Sequence, residues 1–389
     1  MKRSPLRIFA AACIVVTGLC IISAIVVKGW DRRSLTSGDF IQYWAAEQQL
    51  VHGANPYDPN ELLRLESAEG LEGGVLKISI SPPVAYDLAL PLGLVGAKLG
   101  LLLWMLVLAA CAAASIWILG ILFGRQASQL HIYCYLFPPL LACFLVGQLG
   151  IFLLLGLVLF LFWRESRPFL AGVLLFPYAM KPHLLAPFGL VLLLWMVYRK
   201  SYRILAGFSV ALLANCALTL CLDHQIWSQY RQAVHTMDIV NIYVPSLSQE
   251  LRRLLDHNAT WIQFLPEAAG CLWALWYFRT RRARWNWMDH GMILLLISVA
   301  VAPYAWLTDE ALLLPAVLAG LYQAVDLRRS TLPLILIVAV AQIEIFNVVR
   351  VNSPYYLWTV PAYLAWYLYA AGRIGARAGQ ARSDAAIGG

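Results

Sequence analysis

Charge is scarce in this chain. Asp, Glu, Lys and Arg together make up 13% of its 389 residues, whereas 61% of the residues are hydrophobic. An average soluble domain has about 25% charged and about 45–50% apolar residues. A soluble globule of this length has no core large enough to bury so much apolar surface. Nearly uncharged runs recur from end to end, which predicts an all-α polytopic membrane protein.

Motifs of soluble nucleotide chemistry and of metal clusters are also missing. The sequence contains no GxxxxGK[ST] and no GxGxxG after a strand-like run, so a soluble nucleotide-binding fold has no support. None of the eight cysteines shows CxxC spacing, so we expect neither a zinc site nor a loop disulfide. We expect no cofactor. The net charge is +8, which could indicate a nucleic-acid partner. In a membrane protein, however, an excess of Lys and Arg is typical of the cytoplasmic loops, so we expect no nucleic-acid partner.

About 12 transmembrane helices are predicted. Their approximate ranges are 8–27, 99–123, 131–146, 150–163, 168–180, 183–198, 204–222, 261–278, 288–304, 311–326, 332–349 and 355–371. The first run is signal-like but has no small-residue cleavage site, so we interpret it as a retained anchor. These ranges place one integral-membrane domain at 1–372 and a disordered cytoplasmic tail at 373–389.

The segment 82–97 decides the orientation, because every later loop changes sides if it spans. If it does not span, most of the 29 Lys and Arg residues lie on the inner side and most of the 21 acidic residues on the outer side. The positive-inside rule favours this option. We therefore expect a protein of the plasma (inner) membrane with both termini in the cytoplasm and two long outer loops, at about 28–98 and 223–260.

The first outer loop carries Asp39 at the start of a helical pattern. Asp39 and Tyr43 share one side of this helix, while Phe40 and Trp44 lie on an apolar flank. This pattern predicts a helix lying at the membrane surface, with Asp39 at the water boundary. The alternative is a purely structural role, in which Thr36 to Asp39 form a capping box and the acid only caps the helix.

Lys181 interrupts an apolar stretch, where a lysine is costly. It must pair, reach the interface or serve a function, and binding an anionic group such as a phosphate is one such function.

Asp309 and Glu310 are adjacent carboxylates that can either bind a metal or stay solvated. Glu344 lies inside a span with Arg350 at its outer end, and it has either a site role or a structural one.

The second outer loop contains a short amphipathic helix. Ser246 and Gln249 have the spacing of a capping box that opens it. Arg252 and Arg253 lie farther along this helix. We interpret them either as ligands of lipid phosphates or as part of a solvated face.

Taken in order, several short elements resemble those of the polytopic glycosyltransferases of family 87, a branch of the GT-C superfamily. The matching elements are Gly38-Asp39-Phe40 with Tyr43-Trp44, Gly53 to Asp58, Pro82-Pro83, Gly147-Gln148, Gly172 followed by Lys181-Pro182, Ser246-Leu247, and Pro303 with Trp306 before Asp309. Better-known members carry His residues after the Pro–Trp element, where this chain has Thr308 and Asp309.

The resemblance implies a GT-C-like helical bundle that moves a sugar, mannose or another hexose or pentose, from a polyprenyl-phosphate carrier to a lipid or glycan acceptor. It implies that Asp39 is the catalytic base. In an inverting transfer a carboxylate accepts the acceptor's proton, and Lys181 or Arg350 compensates the phosphate charge. Five further outer-side residues are candidates for substrate binding: Tyr43, Gln148, His183, Trp306 and Asp309.

Two other functions remain open on the sequence alone. A transporter or lipid flippase for envelope glycan precursors predicts charged residues at the membrane midplane and internal symmetry. Glu344 and Lys181 fit the first requirement, but no internal repeat is evident. A non-catalytic assembly protein of the envelope predicts that Asp39 is only a helix cap.

Overall fold

The computed structural model describes residues 38–70, 81–124, 130–236, 243–348 and 354–372. Within these ranges the regular elements are all helical. The α-helices are α1 Phe40–Val51, α2 Pro59–Ala68, α3 Ala97–Leu122, α4 Leu130–Cys134, α5 Pro138–Val146, α6 Gly150–Trp163, α7 Pro168–Val173, α8 Ala186–Tyr198, α9 Tyr202–Leu222, α10 Ile226–Thr236, α11 Leu247–Leu255, α12 Leu265–Arg281, α13 His290–Val301, α14 Leu314–Asp326, α15 Leu332–Val348 and α16 Thr359–Ala371.

Short 3₁₀ helices join many of these elements. They are Pro83–Leu88, Leu90–Leu94, Phe176–Met180, Pro182–Leu185, Thr260–Phe264, Arg282–Arg284, Leu307–Leu313 and Pro354–Tyr356. Several begin at or next to a proline, which has no N–H to continue a preceding helix and a backbone angle suited to a new first turn. The prolines therefore divide long apolar stretches into shorter helices.

Two of the described helices, α3 and α9, are long and apolar enough to cross a membrane. The pair Pro168–Met180 and Pro182–Tyr198 passes the same test together, with a bend of 119° at Lys181. The predicted count of about 12 spans is therefore not confirmed. The predicted first span and the predicted tail lie outside the described residues.

Helix α6 forms the centre of the bundle. Most of its residues are buried on all sides, and it packs against α3, α7 and the 3₁₀ helix Leu307–Leu313. Helix α9 contrasts with it, because only Ile204, Gly207 and Thr219 of its 21 residues are buried. An outward surface so rich in apolar side chains is typical of a helix surrounded by lipid.

Helix α1 corrects one expectation. The prediction that its apolar flank meets the membrane is wrong, because Phe40, Ile41 and Trp44 are buried within the protein. The segment 90–96 covers it: the Trp44 indole donates to the Val95 carbonyl oxygen at 2.9 Å, and Gln48 donates to that of Gly93 at 2.8 Å. The two 3₁₀ helices between 83 and 94 are each too short to cross a membrane.

The segment predicted to form the second outer loop corrects another expectation. Ser246 caps α11, since its hydroxyl accepts from the Gln249 N–H at 3.2 Å. Arg252 does not reach lipid phosphates. It is buried, and its guanidinium donates to the His257 carbonyl oxygen and to the Gln263 side chain. Arg253 is exposed and pairs with Glu250 at 3.0 Å.

Candidate functional site

Asp39 lies at the N-terminal end of α1, where the backbone approaches the end of α5. Its N–H donates to the Val146 carbonyl oxygen at 2.5 Å. Its side chain makes no capping hydrogen bond to α1; instead Oδ2 accepts from Gln148 Nε2 at 2.8 Å. The residue is partly exposed. The carboxylate is therefore oriented by a neighbouring side chain, within a residue that is partly exposed.

Gln148 is itself fixed in one orientation. Its Oε1 accepts from the Tyr43 hydroxyl at 2.8 Å and from the Leu149 N–H at 3.0 Å, which leaves the amide N–H₂ to face Asp39. Burial raises the pKa of the Tyr43 hydroxyl well above its usual range, and the charges of Asp39 and Asp309 raise it further. Tyr43 is therefore a donor at any ordinary pH.

The turn between α5 and α6 brings Gln148 to this position. Gly147 ends α5 in the left-handed conformation, with φ of 75°, which glycine adopts without the strain of a Cβ. A Cβ at Gly147 would also lie 2.9 Å from the Phe40 Cβ atom. The Trp104 indole donates to the Gly147 carbonyl oxygen at 2.8 Å. Helices α1, α3 and α5 thus meet at this one turn.

Lys181 and Asp309 form an ion pair. Lys181 lies at the bend between the 3₁₀ helices Phe176–Met180 and Pro182–Leu185, and its Nζ atom is 2.6 Å from Asp309 Oδ1. The second oxygen, Asp309 Oδ2, accepts from the Trp306 N–H at 3.0 Å. Asp309 is thereby held by two donors, and it orients the ammonium group in turn.

Both groups of residues lie in one neighbourhood. The Cys143 thiol on α5 donates to the Thr308 carbonyl oxygen at 3.1 Å, which joins α5 to the turn that carries Asp309. At the end of the same helix, the Val146 carbonyl oxygen accepts from the Asp39 N–H. The structure therefore gathers two carboxylates and one ammonium group around the C-terminal half of α5.

Two further candidates contribute differently. The His183 ring packs on the Tyr304 ring, with 3.8 Å between their centroids, and its Nε2 accepts or donates no hydrogen bond within the described chain. Trp306 acts on Asp309 through its backbone N–H, and its side chain is partly exposed. In the sequence, His183 lies two residues after Lys181, and Trp306 lies three residues before Asp309.

The remaining acidic candidates form hydrogen bonds to other residues. Glu310 accepts from the Thr359 hydroxyl at 2.6 Å. Its carboxylate therefore binds Thr359 and does not form a pair of ligands with Asp309. Glu344 accepts from the Trp358 indole, the structural alternative considered for it. No group of three or more metal-ligating side chains occurs among the residues described. The prediction for Arg350 lies outside the described residues.

The sequence analysis missed Trp104 and Cys143, which position the site from within predicted spans. Neither residue interrupts the apolar pattern of its predicted span, because tryptophan and cysteine are ordinary residues of an apolar helix. Their hydrogen bonds to Gly147 and Thr308 are backbone contacts, which a sequence does not reveal.

Comparison with known proteins gives one family. The model of glycosyltransferase family 87 matches residues 80–322, more than half of the chain. The match includes Gln148, Lys181 and Asp309 but begins after Asp39 and Tyr43. No curated protein matched the chain, and neither did any solved structure. The extent of the family match shows that this chain belongs to glycosyltransferase family 87.

Proposed function

We propose that this glycosyltransferase moves a sugar from a polyprenyl-phosphate carrier to a lipid or glycan acceptor at the outer face of the membrane, with inversion and with Asp39 as the base. One observation supports the proposal: the partly exposed Asp39 and the Lys181–Asp309 pair are both joined to the C-terminal half of α5, Asp39 through Val146 and the pair through the bond from Cys143 to Thr308. An inverting transfer from a phosphate-linked donor requires a carboxylate and a cation.

The bond changes assign a task to each. The acceptor oxygen forms a bond to the anomeric carbon of the sugar, and the bond from that carbon to the phosphate oxygen breaks. The electron pair leaves with the polyprenyl phosphate, and the acceptor's hydroxyl proton goes to a carboxylate oxygen of Asp39. Negative charge grows on the departing phosphate, and a nearby fixed cation lowers the energy of that state.

The neighbours of Asp39 suit it for this role. Gln148 occupies Oδ2 and so holds the carboxylate in one orientation, while the partial exposure of the residue allows a hydroxyl group to approach. A fixed base loses less entropy on reaching the reactive geometry. In this assignment Tyr43 and Gln148 orient the base and reach the substrate only through it.

Lys181 serves the phosphate as a point charge. Its partner Asp309 neutralises it in the free enzyme and fixes the ammonium group at the bend. An incoming phosphate then shares the ammonium's remaining N–H donors, since an ammonium group has three. His183, two residues after Lys181, and Trp306, three residues before Asp309, contact the sugar in this assignment.

The test measures transfer directly. Wild-type protein and Asp39→Asn are purified in nanodiscs and incubated with radiolabelled polyprenyl-phosphate mannose and a total lipid extract of the host. We expect label in a new product with the wild type and a loss of at least 100-fold in the variant, the scale of an acid–base contribution.

Glu61→Gln is the matched control. Glu61 is an exposed acid of the same outer region and pairs only with Arg64 in the described chain, so this variant retains activity. Equal transfer by wild type and Asp39→Asn would disprove the base assignment while leaving the transferase intact. No transfer by any of the three proteins would count against this donor.

A further inference from the structure

Helix α11 turns polar side chains toward the protein and leucines away from it. Gln249 and Arg252 are buried, whereas Leu254 and Leu255 are 81% and 65% exposed. This is the reverse of a helix on a water-soluble protein, whose apolar stripe packs on the core. The leucine side therefore requires an apolar environment outside the chain.

The polar side is hydrogen-bonded to the segment that leads to Asp309. Arg252 donates from Nε to the His257 carbonyl oxygen at 2.7 Å and from Nη1 to Gln263 Oε1 at 3.2 Å. Gln263 Nε2 donates to the Pro303 carbonyl oxygen at 2.7 Å, and the Ser246 hydroxyl donates to the same oxygen at 3.2 Å. Pro303 begins the turn that leads to the Asp309 backbone.

The same helix has a third side, which is charged. Arg253 Nη1 lies 3.0 Å from Glu250 Oε1, and the Tyr243 hydroxyl donates to that oxygen at 2.8 Å. With about 3.6 residues per turn, Glu250 and Arg253 lie on a side distinct from both the leucines and the buried residues. A charged side of this kind stays in water, so α11 meets protein, water and an apolar phase at once.

Exposed apolar side chains continue along the chain beyond α11. Trp261 and Phe264 of the following 3₁₀ helix are 64% and 46% exposed. Helix α12 follows directly, with Leu272 and Trp276 also exposed. Tryptophan is enriched at the level of lipid headgroups, so the position of Trp261 just after an amphipathic helix and among other exposed apolar side chains fits the membrane–water boundary.

We propose that the surface formed by Leu247, Leu254, Leu255, Trp261 and Phe264 rests in bilayer lipid at the outer boundary of the membrane. The occupant is lipid rather than another protein because one helix presents leucines and a charged pair on neighbouring sides, the arrangement of an interfacial helix. The bilayer then supports α11 from outside while α11 holds the Pro303 carbonyl from within. This inference does not depend on the sugar donor or on the role of Asp39.

The test places an environment-sensitive fluorescent amino acid at position 254 by genetic incorporation, so the native cysteines stay intact. The full chain is reconstituted in nanodiscs whose lipids carry bromine near the top of the acyl chains. Position 253 on the charged side of the same helix is the matched control. Both positions are exposed, so neither label disturbs the core.

We expect brominated lipid to quench the label at 254 at least threefold more strongly than at 253, and aqueous iodide to show the opposite preference. Two results would overturn the proposal. Equal access of iodide to both positions would place the leucines in water. Protection of position 254 from both quenchers would show that protein, such as a second copy of the chain, covers it.

Discussion

The Nζ atom of Lys181 lies 2.6 Å from Oδ1 of Asp309, although 128 positions separate the two residues in the sequence. The Asp309 side chain is 1% exposed and that of Lys181 is 15% exposed. A single charge with so little hydration is costly, whereas a hydrogen-bonded pair offsets much of that cost. The pair therefore fastens the turn Leu307–Leu313 to the bend at Lys181.

Removing one partner leaves the other buried and unpaired. We expect Asp309→Asn and Lys181→Met each to lose about 3 kcal/mol of the free energy of unfolding. The double variant is expected to lose clearly less than the sum of the two, because it leaves no lone charge. Unfolding in detergent measures all three free energies and gives the coupling.

The exposed pair Arg64–Glu61, with side chains 65% and 45% exposed, is the control for this cycle. Breaking it by Glu61→Gln is expected to cost under about 1 kcal/mol. If the losses of Asp309→Asn and Lys181→Met were additive in the double variant, the two side chains would not be coupled as the structure has them.

The orientation of Gln148 makes a graded prediction for catalysis. Gln148→Ala removes the donor to Asp39 itself, and we expect about a 30-fold loss of kcat, in the range of a hydrogen bond to a charged group. Tyr43→Phe removes only the bond that fixes the amide, so a loss of about 5-fold is expected. Both are measured in the nanodisc transfer assay with saturating donor.

Tyr57→Phe is the control for a lost buried hydroxyl, because Tyr57 donates to the Ser81 carbonyl oxygen, away from Asp39. Its kcat is expected to match that of the wild type. A loss in Tyr43→Phe as large as that in Gln148→Ala would argue against the graded roles, and so would an equal loss in Tyr57→Phe.

The long helices were predictable from uninterrupted apolar runs. The predicted range 150–163 coincides with α6, and 99–123 differs from α3 by two residues at the start and one at the end. The range 131–146 is wrong as one helix, because the chain breaks between α4 and α5 before Pro138. Hydropathy alone hides such breaks, although the proline pair itself was a visible signal.

The site was predictable as a list of residues but not as an arrangement. Asp39, Lys181 and Asp309 stand out because charged residues are rare beside apolar runs. Their partners depend on which helices pack together, and one sequence contains no record of that. The expected contact of α1 with the membrane was wrong for a similar reason, because an apolar flank does not show whether lipid or the segment 90–96 covers it.

Gly147 provides a test of the turn that carries Gln148. Gly147→Ala puts a Cβ in the left-handed region, at about 1–2 kcal/mol, and presses it against Phe40. Gly124 is the matched control: its φ is 64°, and nothing lies within 4 Å of an added Cβ. We therefore expect Gly124→Ala to show only the strain, and Gly147→Ala to be less stable still and to lose transfer activity. Equal stability of the two variants would contradict the contact with Phe40.

The carboxyls of Glu47 and Asp87 predict a dependence of stability on pH. Burial raises the pKa of Asp87 to about 7, and burial together with the charge of Asp87 raises that of Glu47 well above its usual range. Neither carboxyl accepts a hydrogen bond in the part of the chain that the structure describes. The folded protein therefore binds protons that the unfolded chain, with carboxyl pKa values near about 4, has released.

A raised pKa in the folded state stabilises the protein at low pH, and this stabilisation is lost as the pH rises through the folded value. We therefore expect the Tm of the wild type in detergent, followed by tryptophan fluorescence, to fall between pH 5 and pH 8. Asp87→Asn is neutral throughout, so its Tm is expected to fall less over the same interval. Glu61→Gln, an exposed acid, is the control and keeps the wild-type slope. If Asp87→Asn also kept that slope, Asp87 would already be ionised in the folded protein at pH 5, and burial would not be what governs it.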